Sequence, residues 1–155
     1  MEAQGRVWLT VDPDQVWWSM TDPEVLRVCV PGCKHVDRDG PYAYRFTLSG
    51  RWGVIHAAFH VHVTIHDLEP ADAETPRRYW LSAHGEGPLG LARGRSHVEL
   101  APEPGGTYLI YDAAGDPDDR LSRLGGPLLR KVADSLSRKF FTRFANAVNG
   151  APVSS

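Results

Sequence analysis

The strongest constraint on this chain is its C-terminal run from Pro127 to Val148. Apolar residues recur there at Leu128, Leu129, Val132, Leu136, Phe140, Phe141, Phe144, Ala145 and Val148. Those steps of three, four and one gather on one broad stripe of a helix. Arg130, Lys131, Asp134, Ser135, Arg138, Lys139 and Arg143 take the remaining positions. The stripe carries three Phe and three Leu, each contributing roughly 1.5–3 kcal/mol when buried. Such a helix requires a concave apolar receiver, and the rest of the chain, read as strands, supplies one.

Residues 3–11 alternate, with Gly5, Val7, Leu9 and Val11 on one face and Arg6, Trp8 and Thr10 on the other, the pattern of a half-buried strand. Asp12-Pro13-Asp14-Gln15 combines an N-cap, a proline for the first turn and a capping-box Gln. It predicts a short helix over 13–20 with Val16, Trp17 and Met20 inward. Thr21-Asp22-Pro23-Glu24 repeats the signal and predicts a second short helix over 23–29, ended by Pro31-Gly32. From 34 to 116 strands alternate with turn residues: 34–39, 42–51, 55–67, 79–86, 92–101 and 107–114. Tyr42, Tyr44, Phe46 and Leu48 share one face of the second of these; Ile55, Ala57, Phe59, Val61, Val63 and Ile65 share one face of the third. Seven strands, two small helices after the first and one long helix at the end make an α+β fold, an antiparallel sheet with its helices on one side. Leu121 and Leu124 predict a helical turn before Gly125-Gly126, and Pro127 predicts a break or kink there.

A chain of 155 residues suits one domain, here residues 1–149 with a short tail at 150–155, and a domain of that size buries about 70% of its unfolded surface. A net charge of -2 argues against nucleic acid as partner, which wants a basic face. No stretch reaches the ~18 apolar residues of a membrane span, and Met1 to Arg6 lack a secretory pattern, so the expected location is the cytoplasm. Cys29 and Cys33 form a lone C-x3-C pair beside His35. Without a second pair this is a poor zinc signal; free thiols are expected, with a disulfide and a metal as alternatives.

Particular residues also resemble a known family. Trp17 in the first small helix, Asp22-Pro23-Glu24-Val25-Leu26, then Cys29-Val30-Pro31-Gly32-Cys33 resemble the CoxG-like family, named for the CoxG component of carbon monoxide dehydrogenase. It is a family of helix-grip proteins, which include START and Bet v 1-like domains. Gly53, Gly85-x-Gly87-x-x-Gly90, Gly94, Gly106-Thr107, Tyr111 and Phe140-Phe141-x-x-Phe144 extend the similarity over about residues 3 to 148. Two departures are the Gly125-Gly126-Pro127 interruption and the short tail. The resemblance implies a seven-stranded curved sheet wrapped around the long C-terminal helix, with an apolar cavity between them. It further implies a non-enzymatic protein, with no required cofactor, that holds a quinone or lipid-like ligand. Such a protein would serve a carbon monoxide dehydrogenase-type molybdenum hydroxylase in maturation or in recruitment to the inner membrane face. A monomer and a homodimer both remain open. The alternative is a cyclase/dehydrase- or hydrolase-like enzyme using polar groups in the same cavity.

On the strand faces above, Tyr44, Phe46, Phe59, Val61, Leu81, Leu109 and Tyr111 would face Leu129, Val132, Leu136 and Phe140 of the helix. Val25, Leu26 and Val28 would close one mouth, and the tyrosine hydroxyls would orient a carbonyl-bearing ligand. The plain alternative is a solid, close-packed core. His60 and His62 form an H-x-H whose imidazoles stand ~7 Å apart along one strand face. They are weak metal candidates, with Asp67, His84 or His97 as a third ligand; a solvated outer face is the simpler reading. His84 and Glu86 are weak candidates for an acid/base pair, and no nucleophile motif accompanies them. An enzyme would turn His84, Glu86 or Arg45 into the cavity. Residues 85–90 lack the ending of a phosphate loop and suit a lid or hairpin. The many Arg residues suit a solvated face or a docking patch.

Overall fold

A computed structural model describes residues 2–52, 55–87, 90–115 and 126–149. Strand β1 (Glu2–Leu9) leads into α1 (Pro13–Met20) and α2 (Pro23–Cys29). Then come β2 (Cys33–Gly40), β3 (Ala43–Trp52), β4 (Ile55–Glu69), β5 (Arg78–Gly87), β6 (Gly90–Glu103) and β7 (Gly106–Gly115), and α3 (Gly126–Val148) is the last described element. The seven strands form one sheet in the order β1-β7-β6-β5-β4-β3-β2, antiparallel at every pairing.

Both short helices start on the side-chain caps that the sequence predicts. Asp12 accepts from the Gln15 amide at 2.8 Å and Asp22 from the Glu24 amide at 2.9 Å, each followed by a proline whose missing N–H costs a first turn nothing. The turn after α2 uses Gly32 at φ 72, a conformation a Cβ disfavours. Alternation then sorts each strand. Leu9, Tyr44, Phe46, Leu48, Phe59, Ile65, Tyr79, Val98, Leu100 and Leu109 are buried on the concave face, joined by Val16, Trp17 and Met20 of α1, Leu26 and Cys29 of α2, and Phe141 and Phe144 of α3.

The long helix is fastened at its C-terminal end. It lies against α2 and β1, and Phe144 is 0% exposed. Phe141 stacks on Tyr111 of β7 with centroids 4.0 Å apart and planes at 9°. Tyr111 in turn lies over the backbone of Gly5, its partner across the β1–β7 pairing; a methyl group at Gly5 would stand 2.5 Å from the Tyr111 hydroxyl. One turn beyond Ala145, Asn149 accepts from the Thr10 amide at 2.8 Å and donates to the Trp8 carbonyl at 3.1 Å. Its carboxamide thus pairs with the backbone where β1 leaves the sheet, as a further strand would.

Some boundaries differ from expectation. β1 ends at Leu9, and the carbonyl of Val11 accepts from the Thr107 hydroxyl at 2.8 Å instead of joining the ladder. Tyr42 precedes β3 and is 42% exposed rather than inward. Pro127 lies in the first turn of α3, where it breaks no hydrogen bond; Leu121, Leu124 and the tail at 150–155 lie outside the described residues.

Asn149→Ala is expected to lower stability by about 1–3 kcal/mol, because Thr10 N–H and the Trp8 carbonyl both lose a partner. A lower urea midpoint with unchanged slope is the readout. On α1, Asp14 accepts from the Thr75 hydroxyl at 2.8 Å and from Arg77 at 2.9 Å, which holds its carboxyl below the usual 3.8. A depressed folded value contributes stability above pH 3.8 that is lost as the pH falls through it. Urea midpoints between pH 5 and pH 2.5 should therefore fall less steeply in Arg77→Gln than in the parent.

Candidate functional site: the concave face under the long helix

Burial on the concave face is graded. On β5 it falls from Tyr79, fully buried, to half-buried Leu81 and Ala83; on β6 from Val98 to half-buried Ser96 and Gly94; on β7 from Leu109 to half-buried Tyr111. These positions are neighbours in register, Leu81 opposite Ser96 and Ala83 opposite Gly94. Val61 and Val63 of β4 and Leu136 and Phe140 of α3 are likewise inward and half-buried. The inner surface is therefore closed beneath α1 and less covered toward the β5–β6 hairpin, where Ala83, Gly85 and Gly94 add little bulk. A Cβ at Gly85 would meet Val61 only at 3.6 Å, ordinary contact distance.

The predicted lining divides accordingly. Tyr44, Phe46, Phe59, Leu109 and Leu26 are buried in the core cluster, and Val25, Val61, Leu81, Tyr111, Leu136 and Phe140 are half-buried against it. Val28 stands apart at 56% exposure on the solvent side of α2, because Leu26 and Cys29 take that short helix's inward positions. The side chains of Leu129, Val132 and Glu86 lie outside the described residues.

The hydroxyls correct one expectation. Tyr44 donates to the Thr21 carbonyl at 2.9 Å in a buried bond that closes the end of α1, so its proton is not offered to a ligand, and burial pushes its phenol up. Among the described residues, the buried polar side-chain atoms without a partner are Tyr79 Oη, beside Trp17 at 5.1 Å between ring centroids, and Ser96 Oγ. Burial pushes the Tyr79 phenol up as well. Both residues share the inward parity of Leu81, a signal present in the sequence that aromatic and aliphatic patterning passes over.

The other candidates stand on the opposite face. Arg45 pairs with Asp37 at 3.0 Å, and His84 stacks on His62 with centroids 4.7 Å apart. Neither faces the helix. Among the described residues no group of three or more His, Cys, Asp or Glu is arranged to hold a metal. Residues 85–87 belong to β5 and pair up to Gly87 opposite Gly90, so this stretch is a hairpin and not an anion loop. Cys29 is buried and Cys33 half-buried; both are free thiols, pushed up by burial.

A curved antiparallel sheet gripping one long C-terminal helix, with two short helices after its first strand, defines the helix-grip fold, whose members build binding sites between sheet and helix. Residues 5–149 match the family model of CoxG, a component of carbon monoxide dehydrogenase, and the chain belongs to that family. No curated protein matches the sequence. Among solved structures, a conserved protein from Geobacillus kaustophilus is similar with a TM-score of 0.78 at 22% identity, covering 97% of each chain. A protein from Chromobacterium violaceum follows with a TM-score of 0.69 at 15% identity, covering 96% of this chain and 97% of its own. A third, from Thermus thermophilus, gives a TM-score of 0.63 at 15% identity, covering 98% and 99%. At these identities the likeness shows the fold. Family and fold together suggest a non-catalytic binding role, and no described helix is long and apolar enough to cross a membrane.

The two buried phenols should respond oppositely to loss of oxygen. Tyr44→Phe is expected to cost about 1–3 kcal/mol because the Thr21 carbonyl loses its partner, while Tyr79→Phe removes an unpartnered hydroxyl and should be neutral or stabilising. Paired urea titrations measure both.

Proposed function

We propose that this protein is a non-enzymatic carrier or assembly factor that holds an apolar, quinone- or lipid-like ligand between the sheet and α3. One observation carries the reading: Val61, Val63, Leu81, Leu136 and Phe140 all point inward from sheet and helix, yet remain half-buried. Inward apolar groups that neighbours do not fully cover gain from a partner that takes them out of water, at about 25 cal/mol per Å2. A flat ring system or an alkyl chain supplies such a surface. No cofactor chemistry is needed for this task.

Membership of the CoxG family supports a second layer. The protein would serve a carbon monoxide dehydrogenase-type molybdenum hydroxylase, either delivering the ligand during maturation or bringing the enzyme to the cytoplasmic membrane surface. The enzyme alternative draws no support from Arg45 and His84, which stand outside the concave face.

Native mass spectrometry of the freshly purified protein, followed by titration with a short-chain menaquinone analogue, tests the reading. A bound lipophile or saturable uptake is expected. Leu81→Trp, which fills the open end, should reduce uptake at least tenfold while circular dichroism stays unchanged. A parent protein that neither carries nor takes up any lipophile contradicts the proposal.

A further inference from the structure

All seven histidines of the chain lie on the convex face of the sheet: His35 on β2, His56, His60, His62 and His66 on β4, His84 on β5 and His97 on β6. None enters the core. Strand registers turn part of this set into a straight line. Asp37 is opposite Arg45, Arg45 opposite His62, His62 opposite His84, and His84 opposite Arg93. At about 4.8 Å per strand, Arg45 to Arg93 span about 14 Å.

The line has an unbalanced charge. Arg45 is neutralised by Asp37, which also meets His35 at 2.9 Å. Arg93 and Arg95 are exposed, and neither makes an ion pair among the described residues; Arg95 lies over the ring of Trp80 at 5.5 Å. The imidazoles of His62 and His84 lie face to face at 13° between the two arginine positions. A second proton on that pair would meet its neighbour's charge and that of Arg45 and Arg93, unless an anion lies across them. The remaining ionisable groups around the pair are His60 and His66 on β4, Glu86 opposite His60, His97 on β6 and Asp112 opposite His97. His66 is engaged by Asp67 at 2.8 Å and Ser82 at 2.6 Å.

We propose that this row is a docking surface for an acidic helix of a partner protein, lying across the strands and bound more tightly as the histidines take up protons. The length fits: carboxylates at i, i+4 and i+8 of a helix span about 12 Å. The chemistry favours protein over a lipid surface. Thr47, Thr64 and Ser82 occupy the flanking positions, Trp80 is half-buried under Arg95, and the exposed Trp18, Val28 and Tyr42 lie off this face, so the row offers no apolar side chain for insertion. The proposal is independent of what the concave face holds.

The test uses the full chain and a fluorescein-labelled, end-capped helical peptide carrying Glu at every fourth position, read by anisotropy at 50 mM salt. Binding at pH 6.0 should be at least tenfold tighter than at pH 8.0 and should weaken steeply with salt. Arg93→Gln with Arg95→Gln should weaken it at least fivefold at both pH values. His62→Gln with His84→Gln should remove most of the pH dependence while sparing binding at pH 8.0; Lys139→Gln with Arg143→Gln on α3, a control for overall charge, should change little. Retained pH dependence in the histidine variant overturns the proposal, as does an equal loss in the α3 control. Binding to phosphatidylglycerol vesicles without binding to the peptide overturns it in favour of a membrane surface.

Discussion

Everything in this fold rests on the seating of the C-terminal half of α3 on the edge of the sheet formed by β1 and β7. Phe144 is buried completely, Phe141 lies flat on Tyr111, and Tyr111 lies flat on a glycine backbone that leaves room for it. Asn149 then closes the end of β1 with two hydrogen bonds. Apolar burial is strong but has no direction; the ring stack and the carboxamide give it one. Together they fix the angle at which the helix crosses the sheet, and so the space left between them further along.

That geometry divides the sheet into two faces with different work. The concave face is filled where α1 and α2 cover it and thins toward the β5–β6 hairpin, where side chains shrink to Ala and Gly. A fully packed interior would be more stable; inward apolar groups left half-covered are a cost that a bound ligand removes. The convex face collects every histidine in registered rows, with arginines beside them. Ligand and partner can thus be met on opposite sides of one rigid layer, without competing for residues.

Much of this was legible from residue order. Capping by Asp12 and Asp22 fixed both short helices to the residue, since side-chain caps with a following proline act locally. Alternation located all seven strands and placed His60 and His62 outside. The Phe140-Phe141-x-x-Phe144 stripe announced that something concave must receive α3. What order alone left hidden is long-range. Whether the Tyr44 hydroxyl is free depends on a carbonyl 23 residues away; the grip of Asn149 on β1 spans 139 residues. Val28 looks inward by composition, yet in a helix of seven residues only one side can face the core. Pairing of His62 with His84, and of both with two arginines, appears only once strand registers are known.

A crystal structure of the protein soaked with a brominated naphthoquinone tests the central claim most directly, since anomalous scattering locates the bromine independently of the protein atoms. The account predicts one strong bromine peak between β5, β6 and α3, within contact of Leu81, Val61 and Leu136. A peak only on the outer surface, with side chains from sheet and helix meeting along the whole length of α3, would contradict it.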